Sequence, residues 1–320
     1  MDRYREQARE ILNTVNQVIY GKEELTEKIL TAMLAGGHVL LEDVPGVGKT
    51  TLALAFYKAM GLSWRRVQFT PDVMPSDLTG FSIYRKDREA FVYQPGAVFC
   101  NLLLADEINR TSPKTQSTLL EVMEERQVTV DGVSRQVPRP FLVIATQNPY
   151  GAAGTYALPA AQADRFMACL SMGYPEFEDE VRLAMGKEEP RRQQIPAVCS
   201  GEDFLHMQGE SQEVFIHERI CDYIVSLVSA TRNHEALSLG ASPRGTIALA
   251  RMAKAAAWIQ GEEFVTPEQV QELFVDVMRH RIVPKSRYSV GERGKEEILR
   301  EILEKVPAPL ERRGPGRQGR

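Results

Sequence analysis

The sequence predicts an α/β domain built on a parallel sheet, followed by a smaller all-helical domain. In the first half of the chain, short apolar runs alternate with helical stretches, which is the pattern of parallel strands joined by helices. Because these runs are continuously apolar, we expect strands that are covered on both faces. The five predicted strands cover 39–41, 67–69, 102–105, 141–145 and 167–170, and a helix is expected over 50–60.

The second half of the sequence contains helical patterns and no convincing strand. These patterns cover 176–187, 216–231, 243–258 and 267–280. Before the last of them, a capping hydroxyl at Thr266 precedes Pro267, a typical helix start. We therefore expect one domain at 1–173 and a second at 174–310. The basic segment 311–320 lacks apolar residues, and we expect a disordered tail, with anion binding as the alternative.

Two β-hairpins are predicted to project from the sheet. Asp131-Gly132, between apolar stretches at 128–130 and 133–137, favours a tight type I′ turn. A weaker pattern joins 82–84 to 91–93 through a charged segment.

The composition is that of a cytoplasmic globular protein. The 320 residues carry a net charge of −4, so no overall basic field indicates nucleic acid. The four cysteines show no metal-ligand spacing and fit a reducing compartment. No run approaches the roughly 20 apolar residues that span a bilayer, and the first residues lack the apolar core of a signal peptide.

The sharpest motif is a glycine-rich loop between a predicted strand and a helix, at 41–50. Small residues at Gly46 and Gly48 let backbone N–H groups surround phosphate oxygens, and the helix N-terminus adds partial positive charge. Lys49 is then expected to reach the terminal phosphates and Thr50 to hold Mg²⁺. The motif departs from the usual loop at position 43, where Asp43 replaces glycine. Its carboxylate should point away from bound phosphate.

Two acidic residues follow the predicted apolar strand at 102–105. Ligands bind at the carboxyl ends of parallel strands, and that is where Asp106 and Glu107 fall. Since neighbouring strand residues point to opposite sides, the two acids can take different roles. Asp106 is expected in the Mg²⁺ shell and Glu107 as the general base for water. A solvated pair at a strand end is the alternative.

A third strand ends in polar residues, at 145–149. Asn148 is placed to orient the attacking water or to contact the terminal phosphate. Taken alone, Asn-Pro is an ordinary turn starter. Its position after the loop and the acid pair favours a functional role.

Together these motifs resemble the MoxR family of AAA+ ATPases. The similarity runs from about residue 18 to about residue 282. The segments that carry it are 41–50, 69–72, 75–80, 94–96, 106–110, 113–116, 145–149, 158–159, 164–166 and 240–244.

The resemblance implies a five-stranded parallel AAA+ core with a helical lid, which binds ATP and Mg²⁺ and assembles into hexameric rings. Arg165 would be the arginine finger for a neighbouring subunit, and Arg244 the lid sensor for phosphate in the same subunit. A planar guanidinium suits both roles, whereas a surface ion pair is the alternative for each.

The same resemblance extends the predicted nucleotide site. Val18 and Ile19 lie in a segment similar to the one that packs on adenine, and a core role is compatible with that contact. The other residues assigned to the nucleotide are Pro45, Val47 and Thr51.

By the same resemblance, the activity would be chaperone-like: ATP hydrolysis that activates or remodels a client protein, often one with a von Willebrand factor type A domain or a metal cofactor. Two alternatives remain open. One is a motor or loader on nucleic acid, and the other is a nucleotide-gated switch with little turnover.

Overall fold

The computed structural model describes residues 2–44, 46–148, 158–185, 195–285 and 291–309. The strands are β1 (Val39–Glu42), β2 (Trp64–Gln68), β3 (Gly80–Arg85), β4 (Ala90–Pro95), β5 (Leu102–Asp106), β6 (Gln127–Val130), β7 (Val133–Gln136), β8 (Leu142–Gln147), β9 (Ala168–Leu170), β10 (Leu237–Leu239) and β11 (Val283–Pro284). The helices are α1 (Asp2–Asn16), α2 (Glu23–Leu34), α3 (Lys49–Ala59), α4 (Pro75–Thr79), α5 (Pro113–Glu125), α6 (Ala160–Ala163), α7 (Phe177–Ala184), α8 (Gly201–Glu213), α9 (Glu218–Asn233), α10 (Pro243–Gln260), α11 (Pro267–Met278) and α12 (Gly291–Lys305).

A five-stranded sheet forms the centre of the first domain, in the order β2-β5-β8-β1-β9. All neighbours within it are parallel. The predicted parallel α/β core is therefore confirmed.

Apolar side chains cover both faces of this sheet, because successive residues of each strand point to opposite sides. Leu102, Leu104 and Ile144 join a core that includes α1, α2, α3 and the second domain. Leu103 and Val143 join a second core that includes α5. This two-sided burial explains why the strands read as unbroken apolar runs.

Strand β2 was predicted too late, at 67–69. The observed strand begins at Trp64 and ends at Gln68. It lies at the edge of the sheet, and Arg65 and Arg66 are exposed within it. An edge strand with charged side chains does not produce the continuous apolar signal of the central strands.

Both predicted hairpins are present, as β3–β4 and β6–β7. Asp131 and Gly132 have φ values of 54° and 72°. Positive φ at both central residues is the requirement of a type I′ turn, which explains the Asp-Gly pair.

The second domain is helical, as predicted, and contains α8 to α12. A capping box starts α8: Ser200 Oγ accepts a hydrogen bond from Asp203 N, and Ser200 N donates to the Asp203 carboxylate. The sequence prediction missed this helix, and it also missed the short antiparallel pair of β10 and β11.

Helices α1 and α2 lie between the sheet and the second domain. Helix α1 contacts α3 and α8, and α2 contacts β1 and α10. Core side chains run continuously from the sheet through these helices into the lid. The boundary after residue 173 stays a prediction, and the predicted tail at 311–320 lies outside the described residues. No helix in the described ranges is long and apolar enough to cross a bilayer.

Two buried ion pairs fasten the lid to the sheet domain. Arg281 Nε donates to Asp164 Oδ1 at 2.8 Å, and Arg279 pairs with Glu42 at 3.1 Å. Burial lowers the pKa of Arg281 to about 10, whereas Asp164 opposes the shift. The guanidinium therefore stays charged at neutral pH.

We predict that Asp164→Ala lowers the free energy of unfolding by about 3–5 kcal/mol, because it leaves the Arg281 charge buried without its carboxylate. Urea denaturation measures the change. The control is Asp87→Ala, at an exposed pair with Arg88, which should change the value by less than about 1 kcal/mol. Equal effects of the two substitutions would contradict the assignment.

Candidate active site

The glycine-rich loop joins the end of β1 to the start of α3. Gly46 and Gly48 have φ values of 89° and 99°, a region that side chains other than glycine rarely adopt. Gly48 is the residue that caps α3, so the helix N-terminus opens onto the loop. This arrangement suits an anion. Pro45, assigned to the nucleotide from sequence, lies outside the described residues.

Asp43 points away from the loop, as its position beside an anion site requires. Its carboxylate accepts hydrogen bonds from Ser171 Oγ at 2.7 Å, Met172 N at 2.7 Å and Gly173 N at 3.0 Å. The residue is only 5% exposed. Asp43 therefore ties the loop to the segment after β9, and this tie accounts for the departure from glycine.

Lys49 lies folded against the loop. Its ammonium donates to the carbonyl oxygens of Asp43 and Val44 at 3.1 and 3.3 Å. Burial lowers the pKa of Lys49, although the carboxylates of Asp43, Asp106 and Glu107 oppose the shift. A phosphate group entering the loop can take over these ammonium hydrogen bonds.

The acid pair at the end of β5 is held by Thr146 from β8. Thr146 Oγ1 donates to Asp106 Oδ1 at 2.7 Å and accepts from Glu107 N at 2.8 Å. Glu107 has a φ of 56°, an uncommon value for a non-glycine residue and one often found at functional sites. Its carboxylate Oε2 accepts from Arg110 at 2.8 Å.

One cavity brings together the residues predicted to bind the phosphates, the metal and the attacking water. Its lining residues are Gly46, Gly48, Lys49, Thr50, Arg66, Gln68, Asp106, Glu107 and Asn148. The Thr50 hydroxyl and the Asp106 carboxylate supply oxygen donors of the kind that Mg²⁺ takes beside substrate phosphates, so the donor set fits that ion. The backbone carbonyl of Asn148 accepts from Asn109 at 3.1 Å.

A second cavity shares Gly46 and Gly48 with the first and is more apolar. Val18, Ile19, Val47 and Thr51 line it, together with Tyr20, Lys22, Met172, Pro175 and Asp179. Val18 and Ile19 are also buried, and Ile19 belongs to the hydrophobic core. Ile19 therefore packs in the core and also lines the cavity predicted for adenine. The two cavities meet at the glycine loop, as a base and its phosphates require.

The predicted arginine finger and lid sensor lie close to each other. Within the described residues, neither Arg244 nor Arg165 lines the phosphate cavity; both line a separate groove between the sheet domain and the lid. There both pair with Glu124, Arg165 at 3.1 Å. The start of α10 therefore lies beside the end of α5, and the roles of Arg165 and Arg244 toward phosphate stay predictions.

Sequence reasoning missed four polar residues of the phosphate cavity and its surroundings: Arg66, Gln68, Arg110 and Thr146. Arg66 and Gln68 were missed because β2 was placed too late in the chain. Thr146 had a usable signal, since it directly follows the apolar run 141–145 and lies two residues before Asn148.

The fold and the loop define a protein of the AAA class, and comparisons with known proteins agree. Residues 38–168 match the ATPase family associated with various cellular activities (AAA), and residues 229–302 match the AAA lid domain. The chain belongs to the MoxR family of AAA+ ATPases.

Full-length relatives support that membership. The chain is 42% identical to Chaperone MoxR1 of Mycobacterium tuberculosis, over 92% of this chain and 80% of the relative. It is 46% identical to the uncharacterized protein YeaC of Bacillus subtilis, over 93% of each. The crystal structure of a proposed ATPase from Cytophaga hutchinsonii superposes with a TM-score of 0.88 at 37% identity, covering 96% of each chain.

We predict that Asp43→Ala destabilises the protein by about 1–3 kcal/mol, since three donors lose their acceptor. It should also weaken nucleotide binding, because the loop loses its tie to residues 171–173. Thermal unfolding and titration with a fluorescent nucleotide measure the two effects. Asp43→Asn keeps one acceptor oxygen, so it should lose less stability and less nucleotide affinity than the alanine variant. Unchanged nucleotide affinity in the alanine variant would contradict the role of the tie.

Proposed function

We propose that this chain hydrolyses ATP in an assembled ring and uses the energy to act on a client protein. The observation that carries this proposal is the single cavity shared by Lys49, Thr50, Asp106, Glu107 and Asn148. These are the residue types that phosphoryl transfer needs: a cation and a hydroxyl on the phosphates, a carboxylate for metal and another for water.

In the proposed site, the purine lies in the apolar cavity against Val18 and Ile19, and the phosphates lie on the loop N–H groups. Lys49 leaves the loop carbonyls and binds the terminal phosphates. Thr50 and Asp106 would hold Mg²⁺, which would offset negative charge on the phosphate oxygens. Glu107 accepts a proton from the attacking water, and Asn148 orients that water or the terminal phosphate.

Arg165 and Arg244 are proposed to serve a neighbouring subunit together. Both guanidiniums converge on Glu124 at the surface, with exposed fractions of 30% and 48%. Because Glu124 is a surface carboxylate, both guanidiniums can leave it when the triphosphate bound to a neighbouring subunit approaches. An arginine supplied in this way can raise the rate about 10³–10⁵-fold.

The hexameric ring, the client and the compartment stay predictions. The relative named Chaperone MoxR1 supports work on another protein. Exposed aromatic side chains at Phe81, Tyr84 and Phe91 make the β3–β4 hairpin a proposed client contact. The first candidate clients to test are proteins with a von Willebrand factor type A domain and proteins that carry a metal cofactor. We propose a cytoplasmic location for this chain and for its client.

We predict that Glu107→Gln lowers kcat for ATP hydrolysis by about 100-fold or more, because the amide cannot accept the proton from water. Nucleotide affinity should be retained. Phosphate release and nucleotide titration measure the two quantities. Glu125→Gln, on the exposed end of α5, is the control and should keep the wild-type rate. Wild-type turnover in Glu107→Gln would remove the assignment.

We predict that mixing two inactive variants, Lys49→Ala and Arg165→Ala, restores part of the ATPase activity. Mixed rings contain sites with an intact loop on one subunit and an intact arginine on the next. Repeating the experiment with Arg244→Ala in place of Arg165→Ala tests which site Arg244 serves. Restored activity would place Arg244 at the nucleotide site of the neighbouring subunit. No restored activity would place it at the nucleotide site of its own subunit. Failure of the Arg165 mixture would contradict the shared site.

A further inference from the structure

Asn148 lies just past the end of β8, where the sheet no longer fixes the chain. On one side of β8, the last register pair with β5 is Ala145 with Ala105. On the other side, the last pair with β1 involves Gln147, whose carbonyl oxygen accepts from Asp43 N at 3.2 Å. The two ladders therefore hold β8 as far as Gln147, and Asn148 lies one residue beyond the last register pair.

The side chain of Asn109 makes a contact at this point. Its Nδ2 donates to the backbone carbonyl oxygen of Asn148 at 3.1 Å. Asn109 is only 5% exposed and belongs to the short 3₁₀ turn Ile108–Arg110, which follows the acid pair. The contact joins the segment after β5 to the segment after β8, and the proposed cycle gives Asn109 no role.

The turn that carries Asn109 is itself fixed to α5. Gln116, near the start of that helix, is fully enclosed, and its Nε2 donates to the carbonyl oxygens of Ile108 and Thr111 at 3.2 and 3.4 Å. These two carbonyls lie on either side of Asn109 in the chain. Because α5 is a 13-residue helix, the turn has a rigid support. The Asn109 amide therefore reaches Asn148 from a fixed position.

Stability alone does not explain an amide at position 109. Among the residues that the structure describes, the buried Asn109 Oδ1 atom has no hydrogen-bond partner. A buried polar atom without a partner costs stability, and an apolar side chain at the same position avoids that cost. The amide is better explained by its nitrogen, which holds the Asn148 carbonyl.

We propose that Asn109 is a positioning residue for Asn148, and this inference rests on the proposed ATPase function. The Asn109 amide fixes the backbone of residue 148. That backbone position decides how far the Asn148 side chain reaches into the phosphate cavity, which it lines. A displacement of about 1 Å in a reacting site can lower the rate about 100-fold. Asn109 acts on the water and the terminal phosphate only through Asn148.

We expect Asn109→Leu to lower kcat for ATP hydrolysis by about 10-fold or more, because Asn148 loses its anchor. Leucine has the same branching as asparagine and no polar atoms. Affinity for ADP should be retained, since the glycine loop is untouched, whereas a general structural defect would lower both quantities. Phosphate release and nucleotide titration with full-length protein measure them. Asn109→Ala gives a second variant without the amide if the leucine variant does not fold.

Asn101 is the matched control, because it makes the equivalent contact at the opposite end of the same two strands. It directly precedes β5, and its Nδ2 donates to the carbonyl oxygen of Pro140, just before β8, at 3.0 Å. Its Oδ1 accepts from the backbone N–H and the hydroxyl of Ser63. Asn101→Leu should therefore lower the free energy of unfolding in urea. It should leave kcat per folded chain at the wild-type value.

A double substitution separates an effect through Asn148 from one through Glu107, which lies two residues before Asn109. If Asn109 acts through Asn148, then Asn109→Leu should lower kcat little further in an Asn148→Ala background. Such non-additive effects are expected for residues that act as one unit. An equal loss of kcat in both backgrounds would place the effect outside Asn148 and overturn the inference.

The outcomes separate this inference from the ATPase proposal. If wild-type protein hydrolyses ATP and both Asn109→Leu and Asn109→Ala keep its kcat, the positioning role is wrong and the ATPase proposal stands. If wild-type protein hydrolyses no ATP, the ATPase proposal fails and the positioning role fails with it.

Discussion

The parallel register of β5, β8 and β1 is the constraint on which the site depends. It brings three carboxyl ends to one edge of the sheet, beside the glycine loop. The Thr146 hydroxyl of β8 then positions the acid pair. It donates to the Asp106 carboxylate and accepts from the backbone N–H of Glu107. Residues about forty positions apart are thereby held within hydrogen-bond distance. A loop alone binds phosphate, whereas this edge adds the acids for chemistry.

The lid is fixed to that edge by buried charge. Glu42, the last residue of β1, pairs with Arg279, which follows α11. The glycine loop begins just after Glu42, so the strand end that leads into the loop also holds the lid. Arg281, two residues further on, binds Asp164, the residue before Arg165. The residue that binds the lid, Asp164, is thus the immediate neighbour of the proposed arginine finger.

Arg244 and Arg165 lie together on Glu124, at the groove between the sheet domain and the lid. The predicted contact of Arg244 with phosphate in its own subunit stays a prediction. Motif spacing defines the residue type but not the orientation of the lid, which depends on packing among α1, α2, α8 and α10. Both candidate arginines lie outside the phosphate cavity of this chain, which supports the proposal that they act at a neighbouring subunit.

The sequence predicted much of the fold and most of the residues that line the phosphate cavity, and the physical reason differs from one residue to another. Buried strands such as β5 gave clear apolar runs, and the loop residues Gly48, Lys49 and Thr50 formed a motif with one known use. Asp43 could be assigned a direction from electrostatics alone, and its partners at 171–173 confirm that direction. Edge strand β2 could not be placed, because its exposed arginines hide the pattern, and Arg66 and Gln68 were lost with it.

Phosphate release from ATP, measured with purified full-length protein over a range of protein concentrations in the presence of magnesium, tests the central claim most directly. The account predicts turnover that rises per chain as concentration increases, because each site needs its neighbour, and that stops when magnesium is chelated. No phosphate release at any concentration would contradict it.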